Sequence, residues 1–294
     1  MYEQFYGFKE KPFSLLPDPS FLYMTKKHQM ALTMLEYSLM NESAGICVVS
    51  GEIGSGKTTL VRQLLSTMDD RYTTGMITNT HSSFGDLLQW VSMAYGLEYR
   101  GKERVELYED FVNFMIKQYS TGKRTVLIID EAQNMEEDTL EELRMLSNVN
   151  SDKNQVLQLI LVGQPELRTT LRSERLMQLA QRVSVSYHLD TLKQAETALY
   201  IRHRMSVAGG SPDIFNNGAC KAVWYYSRGV PRVINVLCDT ALVYGFAEEK
   251  DTVNAKIIHD VANDRKTDSI FADVPDDNAD NKVIPITPDL NKHK

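Results

Sequence analysis

Two groups of residues have types and spacing suited to phosphate chemistry. The first is Gly51-Glu52-Ile53-Gly54-Ser55-Gly56-Lys57-Thr58, followed by Thr59, which fits G-x-x-x-x-G-K-[ST] at every fixed position. Glycines let a backbone wrap a phosphate with its N–H groups inward, and a following helix adds partial positive charge. Lys57 then reaches the β- and γ-phosphates of a nucleotide, and the Thr58 hydroxyl ligates Mg²⁺. The second group is Asp130-Glu131, at the end of the apolar run Val126–Ile129. Asp130 suits the Mg²⁺ sphere and Glu131 suits activation of an attacking water. An acidic pair after a strand is common by itself as a solvated strand end. Joined to a phosphate loop, it predicts hydrolysis of ATP with Mg²⁺ as cofactor.

These groups need a scaffold that holds a loop and a strand end side by side. From Ile46 to about Asp190, apolar runs alternate with helical stretches: Ile46–Ser50, Thr74–Thr78, Val126–Ile129, Leu157–Val162 and Val183–Leu189. Strands separated by helices imply βαβ units and a parallel sheet whose carboxyl ends face the ligand. The fold class is therefore α/β, a P-loop NTPase core over 42–190. Before it, 1–41 is an aromatic-rich lead ending in a helix. After it, 191–263 reads as a small α-helical domain with candidates Lys193–Val207, Asn217–Ser227, Pro231–Ala247 and Asn254–Val261. From 264 to 294 the Asp- and Asn-rich composition, with Pro275, Pro285 and Pro288, reads as a disordered polar tail.

With 43% hydrophobic residues the chain can bury a full core without a staple. Its three cysteines are scattered and odd in number, which argues against a disulfide framework and fits a reducing compartment. The aromatic, mixed-charge start does not read as a signal peptide, and no apolar run approaches the roughly 20 residues of a bilayer span. A cytoplasmic protein, peripheral at most to the inner membrane, is expected. The net charge of −7 argues against a bulk polyanion-binding surface.

Longer stretches carry a family resemblance. Asp130-Glu131-Ala132-Gln133, Leu161-Val162-Gly163-Gln164-Pro165-Glu166-Leu167 and Gly229-Val230-Pro231-Arg232-Val233-Ile234-Asn235 resemble the AAA+ ATPases of the ExeA/GspA secretion type. So do Phe5-Tyr6-Gly7-Phe8, Lys11-Pro12-Phe13-Ser14 and Pro17-Asp18-Pro19-Ser20-Phe21-Leu22-Tyr23 near the start. Ile77–Phe84 and Glu141–Asn150 are similar to the exosortase/PEP-CTERM subgroup of exopolysaccharide loci. The resemblance implies that 191–263 is a lid, that Gln164 is a sensor 1 and that Arg232 is a sensor 2 cation. It implies an arginine finger acting on a neighbouring subunit, Arg182 first and Arg175 next. It also implies a homo-oligomer, ring or dimer, and partners among inner-membrane secretion or polysaccharide-export proteins. Phe13, Pro17 and Tyr23 become candidates to pack near the adenine, the alternative being a strap that completes the core. Members of that family often continue into a transmembrane helix and a peptidoglycan-binding domain. Here a polar tail follows, so envelope association would run through partners.

Three functional classes fit: an assembly ATPase, a DNA-linked regulator of the transposition or initiator type, and a slow ATP-gated switch. The cluster Arg168, Arg172, Arg175 and Arg182 favours DNA, whereas the net charge and the missing winged-helix domain speak against it.

Overall fold

A computed structural model describes residues 1–41, 45–78, 86–151 and 154–267. The elements are, in order, α1 (Tyr2–Tyr6), α2 (Lys26–Met40), β1 (Ile46–Gly51), α3 (Lys57–Thr67), β2 (Tyr72–Ile77), α4 (Leu87–Ala94), α5 (Arg104–Ser120) and β3 (Arg124–Ile129). Then follow α6 (Glu137–Leu146), a hairpin of β4 (Asn150–Ser151) and β5 (Asn154–Gln155), β6 (Leu157–Gly163), α7 (Pro165–Thr170), α8 (Met177–Ala180) and β7 (Val183–Leu189). The chain closes with α9 (Gln194–Val207), α10 (Asn217–Ser227), α11 (Pro231–Ala247) and α12 (Ala255–Thr267).

Five strands form one parallel sheet in the order β2-β3-β6-β1-β7. Every residue of β1 and β6 is buried, as strands covered on both faces require. The edge strand β7 alternates instead: Val185 and Leu189 turn inward while Ser184 and Ser186 face out. One apolar cluster lies between one sheet face and α4, α5 and α6, holding Phe111, Leu127 and Leu143. A second, under α2 and α3, holds Leu35, Val49, Leu64 and Ile160.

The third cluster belongs to α9–α12, and it draws in residues from the other end of the chain. Tyr2, Tyr6, Phe8, Phe13 and Phe21 pack with Ile201, Phe215, Ile234 and Ile258. The Tyr6 hydroxyl donates to the Lys250 carbonyl at 2.9 Å, and the Lys9 N–H donates to the Ala208 carbonyl at 2.8 Å. Gly210 is required at one point, because a Cβ there would stand 2.2 Å from the Phe8 ring. Packing therefore divides the segment read as one lead over 1–41. Its aromatic part completes the helical unit, whereas α2, through Ala31, Leu35 and Leu39, lies on the sheet. The last helix also runs to Thr267, past the limits at 261 and 263 read from sequence. The rest of the expected tail, and most of the stretch Ile77–Phe84, lie outside the described residues.

Candidate functional site

The loop after β1 turns because Gly54 (φ 77°) and Gly56 (φ 98°) take left-handed backbone that other residues avoid. Gly56 is the residue before α3, so the helix starts at Lys57 with its first N–H groups at the loop. Lys57 is 5% exposed, and its ammonium donates to the carbonyls of Gly51 at 2.8 Å and Glu52 at 3.0 Å. Burial lowers its pKa below the ordinary lysine value, against the pull of Glu131, Asp130, Glu52 and Glu166. The Ser55 hydroxyl is buried and has no hydrogen-bond partner among the described residues. A loop with glycine conformations, a buried cation and an unsatisfied hydroxyl suits a phosphate.

The β3 end meets this loop. Asp130 is 4% exposed; its Oδ2 accepts from the Thr58 hydroxyl at 2.8 Å and its Oδ1 from the Glu131 N–H at 3.0 Å. A hydroxyl and a buried carboxylate are a hard-oxygen donor set suited to Mg²⁺. Glu131 sits at φ 54°, a backbone cost kept mostly where function demands it. Its Oε2 accepts from Gln133 Nε2 at 2.6 Å and from Gln164 Nε2 at 3.4 Å. Gln133 Oε1 in turn accepts from the Gln164 N–H at 2.9 Å.

From the helical unit, Pro231 opens α11 and aims its first turn at the loop. Arg232 lines the same pocket as Ile53, Gly54, Ser55, Gly56, Lys57, Thr58, Thr59 and Glu131. Gly51 and Glu52 join them through the Lys57 ammonium, and Asp130 joins through Thr58. The far wall is Ser14–Asp18, Phe21–Tyr23, Tyr200, Arg204 and Asn235.

Residues 40–171 match the family model described as the AAA domain. The fold is that of an AAA ATPase. General secretion pathway protein A of Aeromonas hydrophila is 38% identical over 260 residues, which are 88% of this chain and 47% of that protein. The chain thus spans about half the length of that relative. Cdc6p of Pyrobaculum aerophilum superposes with a TM-score of 0.66 at 14% identity, covering 85% of this chain and 71% of that one. The ORC2 protein of Aeropyrum pernix gives 0.63 at 16%, over 86% and 71%. RuvB of Thermotoga maritima gives 0.52 at 16%, over 82% and 69%.

Within this AAA ATPase fold, Arg182 stands apart from the chain's own pocket. β7 runs beside β1 from Val183 opposite Ile46 to Leu189 opposite Gly51. Arg182 is therefore at the far end of the sheet, about 20 Å of strand from the phosphate loop. Its Nη1 donates to the Ser147 carbonyl at 3.4 Å and hydroxyl at 3.3 Å. Arg175 forms an exposed ion pair with Asp138. Of the aromatic candidates, Phe13 is 1% exposed and packs edge-on against Phe215, so it faces the core and not the pocket. Pro17 and Tyr23 do line the pocket.

Gln133, His28, Tyr200, Arg204 and Asn235 reach the site without belonging to the phosphate-loop motif or the acidic pair. Gln133 follows Glu131 by two residues and Asn235 follows Arg232 by three, and those spacings are the only signals in the sequence. The Arg204 guanidinium, 6% exposed, donates to the carbonyls of Pro12 at 2.5 Å and Ser14 at 3.3 Å and to the Tyr200 hydroxyl at 2.9 Å. Asn235 adds a bond to the Ser14 carbonyl at 3.3 Å. Across the pocket, Arg62 of α3 donates to the Pro17 carbonyl at 2.8 Å. The strap 12–18 is thus tied both to α3 and to the helical unit, through contacts 45 to 221 positions apart in sequence. Among the described residues, no helix is long and apolar enough to cross a membrane.

Proposed function

We propose that this chain hydrolyses Mg·ATP to drive or regulate the assembly of a secretion system, with exopolysaccharide export as its client process. The observation that carries the hydrolytic reading is the 2.8 Å bond from Thr58 to Asp130 beside the Glu131 carboxylate. It joins the two chemical groups that lie 72 positions apart in the chain. Thr58 and Asp130 would hold Mg²⁺, which when bound neutralises charge on the phosphate oxygens. The loop N–H groups and Lys57 bind the β- and γ-phosphates, Glu131 polarises the attacking water, and Gln164 orients it. Arg232 brings a cation from α11, and α9–α12 act as a lid over the nucleotide. The likeness to General secretion pathway protein A supports the secretion context.

In this reading the chain is a homo-oligomer, ring or dimer, in which Arg182 reaches the site of a neighbour. It works in the cytoplasm, peripheral to the inner membrane through partner proteins. The test is ATPase rate against protein concentration for wild type, Lys57→Ala, Glu131→Gln and Arg182→Ala. All three variants are expected to be slow, and mixing Arg182→Ala with Lys57→Ala subunits is expected to restore turnover. Full activity of the Glu131→Gln variant would overturn the hydrolytic reading, and a mixture that restores nothing would overturn the shared site.

One observation favours a slow switch over a motor. The Glu131 carboxylate is engaged by two amide donors, Gln133 and Gln164, and so is not freely presented to water. Single-turnover rates separate the two.

A further inference from the structure

His28 lies in the first turn of α2, far in sequence from the phosphate loop, yet it is 5% exposed and lines the nucleotide pocket. Thr25, the residue that caps α2, accepts from the His28 N–H at 3.2 Å, and its hydroxyl lies 2.7 Å from the ring Nδ1. The other side of the ring reaches the loop. Nε2 is 3.6 Å from where a Cβ on Gly56 would stand, and the neighbouring Ser55 backbone favours the protonated ring. When the Thr25 hydroxyl donates to Nδ1, the neutral ring carries its proton on Nε2, on the side that faces the loop. Burial lowers the pKa of the ring and so favours its neutral form.

The helix that carries His28 is itself fixed. It packs on the sheet through Leu35 and Leu39, and Lys27 pairs with Asp190 just past the end of β7. A rigid element therefore presses one imidazole against the segment Ser55-Gly56 of the loop that precedes α3. Gly56 has left-handed backbone and no side chain to hold it, so its conformation needs outside support.

We propose that His28 is a positioning residue for the phosphate loop. Thr25 orients the imidazole, and the imidazole holds Ser55-Gly56 in the shape that receives the triphosphate. This rests on the nucleotide reading of the site. The role concerns binding of substrate and transition state alike, so it acts on KM and not on kcat.

The test uses the full chain and a fluorescent ATP analogue with Mg²⁺, alongside steady-state ATPase kinetics. His28→Ala is expected to raise Kd and KM about tenfold, the scale of one hydrogen bond, with kcat within about twofold. A glutamine amide nitrogen can stand near the Nε2 position, whereas an asparagine amide stands near Nδ1. His28→Gln is therefore expected to restore most of the affinity and His28→Asn to leave it weak. Thr25→Val is expected to weaken binding in the same direction, and not additively with His28→Ala. Should His28→Ala fail to fold, the Gln and Asn pair still decides the matter. Wild-type affinity in His28→Asn, or equal behaviour of the Gln and Asn variants, would overturn the role. Failure of the wild-type chain to bind the analogue would overturn the nucleotide reading instead.

Discussion

The backbone N–H of Arg232, in the first turn of α11, donates to the carbonyl of Gly54 at the tip of the phosphate loop over 3.2 Å. The helical unit therefore rests directly on the loop. A Cβ on Gly54 would stand 2.4 Å from the Arg232 Cβ, so the contact exists only because that position is glycine. Any ligand that moves the loop tip pushes on α11, and the reverse holds.

Gly54→Ala tests this coupling. The substitution meets both the Arg232 contact and the φ of 77°. It is expected to weaken Mg·ATP binding at least tenfold and to lower stability by about 1–3 kcal/mol. Calorimetric titration and thermal melting read the two effects. Wild-type affinity in Gly54→Ala would show that α11 does not bear on the loop.

Lys57→Met is expected to separate function from stability. Burial lowers the Lys57 pKa, so folding disfavours its charged form. The sign follows: the penalty is full below the folded pKa and disappears as pH rises to the ordinary lysine value. Near pH 7 a neutral side chain of similar length removes that penalty. The nucleotide-free variant should melt no lower than wild type while Mg·ATP binding is lost. A marked fall in melting temperature would count against this balance.

His28 gives the nucleotide-free protein an acid sensitivity. Burial lowers its pKa, so the unfolded chain binds the proton more tightly than the folded one. Stability is then full above about pH 6.5 and falls as pH drops below that value. The Ser55 backbone and the charge of Glu196, on α9, pull the other way. His203, also lowered by burial, titrates in the same direction. Melting curves from pH 5 to 7.5 should therefore be flatter for His28→Gln than for wild type, yet not flat. Identical slopes would remove His28 from the account.

Gln133→Ala removes the bridge between Glu131 and Gln164. Misplacing the carboxylate should lower kcat about tenfold to a hundredfold while KM holds. Steady-state kinetics with ATP decide it. A rise in kcat would mean that Gln133 restrains Glu131, which is the behaviour of the slow switch.

The motif residues were legible because their chemistry is local. Glycines, Lys57 and Thr58 do their work within eight consecutive positions, and the strand before them is an unbroken apolar run that only a doubly covered strand would tolerate. Helix limits at Asn217–Ser227 and Pro231–Ala247 were read to the residue, because Asn216 caps one and Pro231 opens the other. β2 was placed two residues late: it starts at Tyr72, where Thr73 and the edge position blur the apolar pattern.

Sequence alone placed the glycine loop between its strand and helix, the acidic residues at a strand end and the alternation that makes a parallel sheet. Each of these depends on neighbours within a turn or a strand, where periodicity and backbone freedom are written directly. Tertiary structure alone decided that the first aromatic residues complete the last helices, that His28 and Gln133 touch the site, and that Gly54 bears α11. Those contacts join segments up to about 240 positions apart. What selects them is the burial of apolar faces and the pairing of buried polar groups, which leave no periodic trace in the chain.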